Sequence, residues 1–241
     1  MRRLYLLLLL LPAAAQAQTL DDILSGYYKA CGGAEKLAAV QSLILRGRQM
    51  WGGAQKRPMT ITIKGAKVRF ETDIQPGIRF MQAYDGAQGW RVMPWSGSLE
   101  PQPMNEDDTK SYARQAEVLR NDLVTYKERG TKLEYGGKDE IEGSDVYKIK
   151  ATRADGAVIT YYLDADSYLI IQRNIKYSEE GIEQEDDMFP SDYKQINGMT
   201  LPFTFETKND GTTTSAMMIE KYEFNPQIDD ALFAMPSAPK N

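Results

Sequence analysis

The side chains available for chemistry form a restricted set. The chain has no histidine and a single cysteine, Cys31, against 34 acidic and 29 basic residues. Without histidine, Ser-His-Asp and Cys-His catalysis in their usual forms are excluded, as are histidine metal sites. No G-x-S-x-G, Walker or G-x-G-x-x-G segment occurs. Carboxylate chemistry remains, and it needs two acids held in different environments. Asp155, Asp164 and Asp166 all fall in turn segments, where aspartate is favoured for its local hydrogen bonds. The stretch "EEGIEQEDD", residues 179–187, offers oxygen ligands but has no EF-hand spacing. A charged hairpin edge that discourages strand pairing accounts for it. Cys31 stands beside Gly32 and Gly33 and reads as a small buried hydrophobe rather than a reactive thiol. The sequence therefore leads us to expect no catalytic residue, no metal and no cofactor.

Apolar recognition is the other chemistry on offer. "QAYDGAQGWRVMPWSG", residues 82–97, holds two of the three tryptophans, with Tyr84 beside an Asp85-Gly86 turn. By strand parity Phe80, Gln82 and Tyr84 share one face, and Trp90 and Val92 share one face of the next strand. With Tyr84 and Trp90 both inward, they are either core or the wall of a site for a greasy ligand. The eleven methionines fill gaps in a core or furnish a mouldable apolar surface.

These residues must be positioned by the elements around them. Arg2, Arg3, the apolar run Leu4–Leu11 and "AQA" at 15–17 have the layout of a cleaved secretory signal. The run is too short for a membrane anchor, and no lipobox-like segment precedes Cys31. The mature protein is expected to begin at Gln18, in the periplasm. Net charge is −5, and residues 1–17 carry two basic and no acidic residues, so the remainder is more negative still. That balance argues against nucleic acid as a partner.

Residues 19–31 read as a helix capped by Thr19, with Asp22 where a capping-box acid belongs. Leu20, Ile23, Leu24, Tyr27, Tyr28 and Cys31 make one apolar face. Gly32-Gly33 stops it, and a second short helix follows at about 34–40. After Val40 the period changes to two, with turns at Gly, Pro and Asp. Residues 105–128 break the pattern with one or two helices behind an Asn105 cap, with Tyr112, Ala116, Leu119 and Leu123 as an apolar stripe. Strands then resume, punctuated by Asp155-Gly156, Asn197-Gly198 and Asp210-Gly211. Pro202 inside "MTLPFTFET" suggests an edge or a bulge. The expected fold is α+β: one domain over 18–241, with roughly eleven or twelve antiparallel strands in a large curved sheet and helices on one face.

Together "YYKACGGAEKLAAVQSL", "AYDGAQGW", "YYLDADSYLI", "DYKQINGMTLPF" and "NPQIDDALFAMP" resemble, in that order, the LolA/LolB-like outer-membrane lipoprotein-sorting proteins. The chain is similar to a divergent secreted branch of that superfamily. The resemblance implies a half-open β-barrel, with the N-terminal and mid-chain helices as a lid over an apolar cavity for lipid or lipoprotein acyl chains. It implies a monomeric, non-enzymatic periplasmic carrier. Arg46 and Arg48 are candidates for the lid-controlling arginine of the carrier, but neither aligns well enough to be assigned. Phe70, Phe80, Tyr84, Trp90, Tyr161, Phe203 and Phe205 are the expected cavity lining. The alternative is a sensor or scaffold that binds a membrane-protein partner by its convex face or a strand edge.

Overall fold

A computed structural model describes residues 18–53, 55–117, 120–179, 182–209 and 211–236. The signal-peptide expectation at 1–17, and those for Leu119 and Asp210, lie outside the described residues.

The chain begins with α1, Leu20–Ala30. Thr19 Oγ1 accepts from the Asp22 amide at 3.2 Å, and Asp22 Oδ2 accepts from the Thr19 amide at 3.0 Å, so two orphan donors of the first turn are satisfied. Gly32 ends the helix at φ +95. A Cβ there would stand 2.1 Å from the Gly198 carbonyl oxygen, so glycine lets the helix end touch the backbone of a distant hairpin. The Thr200 amide completes the contact, donating to the Cys31 carbonyl at 3.2 Å. The short α2, Ala34–Ala38, follows.

Thirteen antiparallel strands then form one sheet. β1 is Ser42–Trp51, β2 Arg57–Lys64, β3 Lys67–Gln75, β4 Ile78–Tyr84, β5 Gly89–Val92 and β6 Gln102–Pro103. After the mid-chain helices come β7 (Lys132–Ile141), β8 (Ser144–Thr152), β9 (Val158–Asp164) and β10 (Ile170–Glu179). The last three are β11 (Ile182–Ile196), β12 (Met199–Asn209) and β13 (Thr212–Phe224). The spatial order is β6 to β1, then β13 down to β7. The first and last strands therefore meet at the centre, and β6 and β7 are the two free edges. The sheet is curved but not closed.

The strand count exceeds the expected eleven or twelve because β6 has only two residues, too few to show a period. β12 is an interior strand, not an edge. Its register with β13 runs only from Thr204 to Asn209, so Pro202 sits where β12 has no β13 partner and its missing donor breaks no ladder there.

The segment joining the two free edges carries the other helices. It holds α3 (Glu106–Ala113), a 3-10 turn (Arg114–Glu117) and α4 (Asp122–Arg129). Asn105 caps α3 through the Asp108 amide at 2.7 Å, and Asn121 caps α4 through the Leu123 amide at 3.1 Å. We call this edge-to-edge connection the strap. One hydrophobic cluster contains Ile23, Leu24 and Tyr27 of α1, Tyr112, Ala116 and Leu123 of the strap, and inward residues from β1–β4 and β8–β13. All the α-helices thus contribute to the apolar cluster on one face of the sheet.

Candidate functional site

Where the strap and α1 meet β8–β12, the core turns polar. Asp122, fully buried at the first turn of α4, accepts from Arg153 Nε at 2.9 Å and Nη2 at 2.7 Å. It also accepts from the Tyr161 hydroxyl at 2.8 Å and the Thr131 hydroxyl at 3.3 Å. Glu117, at the end of the 3-10 turn, pairs with both Arg153 and Arg129. Burial works against the Arg153 cation, but its bonds to Asp122 and Glu117 outweigh that and raise its pKa. Burial and the Asp122 charge push the Tyr161 phenol well up. Asn121 Nδ2 donates to the Tyr27 hydroxyl at 3.0 Å, and the Tyr28 hydroxyl donates to the Leu123 carbonyl. The strap is thereby fastened both to the sheet and to α1. A buried pair of this kind contributes geometry more than net stability, because desolvation offsets much of the attraction.

Under this latch lies a partly open cavity of about 60 Å³. Tyr27, Cys31, Tyr161, Arg173, Leu201 and Phe205 are among its lining residues. Burial raises the Cys31 thiol to about 11, which keeps it a protonated, unreactive lining group at neutral pH. A larger depression of about 620 Å³ lies at the ends of β2, β3 and β4. Its lining includes Arg57, Asp73 and Arg79 beside Ile74, Pro76 and Met81, and none of the expected site residues. The cavity under the latch joins an arginine and tyrosines to apolar side chains, and it is the candidate site.

Six of the seven expected lining residues belong to or pack against the one large cluster: Phe70, Phe80, Tyr84, Tyr161, Phe203 and Phe205. Only Tyr161 and Phe205 line the cavity. Phe70 and Phe80 pack as a tilted pair 5.9 Å apart, with Trp51 at 6.1 and 5.7 Å and exposed Trp95 5.0 Å from Phe80. Phe203 packs on Tyr222 at 5.2 Å. Tyr84 is partly buried, its hydroxyl on the Gly86 carbonyl.

Trp90 stands elsewhere, which corrects its placement. It pairs with Ala83, while Tyr84 pairs with Gly89. Trp90 therefore points to the face opposite Tyr84. The reason is the turn: Asp85 Oδ1 accepts from the Ala87 and Gln88 amides, both at 2.9 Å, and this four-residue loop sets the register. Trp90 forms a separate cluster with Ala83, Val92 and Met81. The C-terminal turn seals it, with Trp90 Nε1 donating to the Phe233 carbonyl at 2.7 Å.

Arg46 and Arg48 pair with Glu223 and Glu220 in exposed positions, away from the latch. The acids of 182–187 bond across to β10, with Asn174 on Glu185 and Asp187. Among the described residues no three of His, Cys, Asp and Glu converge as metal ligands. Sequence reasoning missed Glu117, Asp122, Arg153 and Arg173. A signal existed for Arg173: it lies two residues before buried Ile175, at an inward parity of an alternating strand.

No family model matches the chain, and no curated protein matches its sequence. Solved structures do match in shape. A LolA superfamily protein from Nitrosomonas europaea superposes with TM-score 0.58 at 12% identity, over 90% of this chain and 98% of that one. The chain shares its fold with that protein. A DUF1329 family protein from Desulfovibrio piger gives TM-score 0.59 at 12% identity, over 90% and 98% of the two chains. A domain provisionally assigned to outer membrane lipoprotein sorting, from Vibrio parahaemolyticus, gives 0.58 at 12%, over 88% and 94%. Among the described residues no helix is long and apolar enough to cross a membrane.

Proposed function

We propose that the protein is a non-enzymatic periplasmic carrier that shelters a lipid or lipoprotein acyl chain between the curved sheet and its helices. The observation that carries this reading is the architecture of the cover. The apolar face of an open sheet is closed by a strap that runs from one free edge to the other and is fastened by a few polar contacts. A cover of that kind can leave without breaking the sheet. The lipoprotein-sorting assignment of the Vibrio neighbour agrees with this through fold alone.

The energetics permit exchange. Among the described residues Leu123 and Tyr112 are the large buried apolar side chains of the strap, and their burial is worth roughly 1.5–3 kcal/mol each. An acyl chain gains about 0.8 kcal/mol per buried methylene. Roughly eight methylenes therefore offset these two side chains, and a common membrane acyl chain is longer than that. Loading would displace the strap, the chain would take its place, and the protein would work as a monomer that receives and surrenders cargo at membrane partners.

The test is a titration of residues 18–241 with a fluorescent long-chain acyl probe. Saturable binding of one probe per chain, lost in Phe205→Asp while the circular dichroism is retained, supports the reading. No saturable binding, or binding unchanged by Phe205→Asp, overturns it.

A further inference from the structure

We infer that Arg173 is the headgroup site of this carrier, and that the preferred cargo is a single-chain amphiphile ending in a carboxylate. This rests on the carrier reading and narrows it.

Arg173 faces the interior, because it pairs with Tyr161 on β9 and with Met188 on β11, and all three line the cavity. Its Nε is shielded from solvent and has no hydrogen-bond partner. An unmatched donor on a charged group is costly to bury and marks a place where an acceptor belongs. The neighbouring carboxylates cannot serve. Glu117 is held between Arg129 and Arg153, and Asp122 is held by Arg153, Tyr161 and Thr131. Among the described residues Arg173 has no acidic partner, and of the arginines with an unpaired, shielded Nε (Arg69, Arg120 and Arg173) it is the one that lines the cavity. A single anion in the cavity would pair with it.

The cavity selects the kind of anion. At about 60 Å³ it has room for a carboxylate with a few waters. A guanidinium presents parallel donors that suit the planar carboxylate. Leu201, Phe205 and Met188 lie on the same cavity wall and continue it as an apolar track. A fatty acid would seat its carboxylate at Arg173, with its chain running along that track as the strap moves aside.

The experiment compares three sixteen-carbon ligands in competition with the fluorescent acyl probe: the fatty acid, the corresponding alcohol and the alkyl phosphate monoester. The wild-type protein is expected to prefer the acid over the alcohol by about ten- to hundredfold, as suits a hydrogen bond to a charged group. Arg173→Met should bind acid and alcohol alike, and Arg173→Lys should restore part of the preference. Equal wild-type affinity for acid and alcohol overturns the headgroup site while leaving the carrier intact. So does a preference that survives Arg173→Met. Tighter binding of the phosphate than of the acid overturns the carboxylate assignment. Failure of all three ligands to displace a saturably bound probe overturns this inference alone, whereas absence of saturable probe binding overturns the carrier reading with it.

Discussion

Asp122→Asn isolates the latch. Asp122 is fully buried and accepts two bonds from Arg153 and one each from Tyr161 and Thr131. Asparagine keeps the shape but removes the charge and turns one acceptor into a donor, aimed at groups that are themselves donors. Removing one partner of a buried pair leaves the other uncompensated, at a cost of about 3–5 kcal/mol. Arg153 retains Glu117, so the lower end, ~3 kcal/mol, applies. For a chain of this size that corresponds to a fall in Tm of roughly 6–12 °C. The local effect should be larger than the global one, because the sheet does not depend on the strap for its pairing. Hydrogen exchange of α4 amides should accelerate well beyond that of β1 and β13. The companion variant, Asp122→Leu with Arg153→Met, removes both charges and should lose less stability than Asp122→Asn alone. Unchanged Tm and unchanged α4 exchange in Asp122→Asn would refute the latch. A double variant less stable than the single one would refute the argument from uncompensated charge.

Cys31 reports on the same motion. It is 5% exposed and its thiol is raised to about 11, so a thiol reagent at pH 8 should react slowly with wild-type protein and markedly faster with Asp122→Asn; equal rates would detach the latch from the cavity. Trp90→Phe removes the 2.7 Å bond to the Phe233 carbonyl and should destabilise by about 1–3 kcal/mol with acyl-probe affinity unchanged, because Trp90 lies on the other face; a fall in affinity at constant fold would contradict that placement. The C-terminal turn should be acid-sensitive. Hydrogen bonds from Lys64 and Lys67 hold Asp230 down to about 2, so its contribution is complete above about pH 4 and is lost as pH falls toward 2. In a chain with Trp51 and Trp95 replaced by phenylalanine, Trp90 emission should shift red across that window, and Asp230→Asn should remove the step.

Local chemistry made much of this fold legible. The Thr19–Asp22 capping box, the Gly32-Gly33 stop and the asparagine cap of α3 act within a few residues of chain, and they read directly. Strand alternation did the same for the sheet, except for two-residue β6. The misplacement of Trp90 came from one turn. Whether Trp90 faces with Tyr84 or against it depends on a single residue of register, and the Asp85 hydrogen bonds that fix it follow from loop geometry rather than from parity. The latch was hidden for a different reason. Glu117, Asp122, Arg153 and Arg173 come from four separate elements, and in sequence each passes for an ordinary surface charge; only the closure of the strap over the sheet brings them together. Asp122 in particular sits where a first-turn acid is expected for the helix dipole alone.

The measurement that bears most directly on the carrier reading is photo-crosslinking with a diazirine-bearing long-chain fatty acid, followed by mapping of the labelled peptides. A carrier should be labelled saturably on the inner face, on Tyr161, Met188, Leu201 and Phe205, with competition by unlabelled fatty acid. No label is expected on Met81, Trp90 and Val92, which pack together on the other side. Label confined to that outer cluster, or label that does not saturate, would contradict the carrier reading.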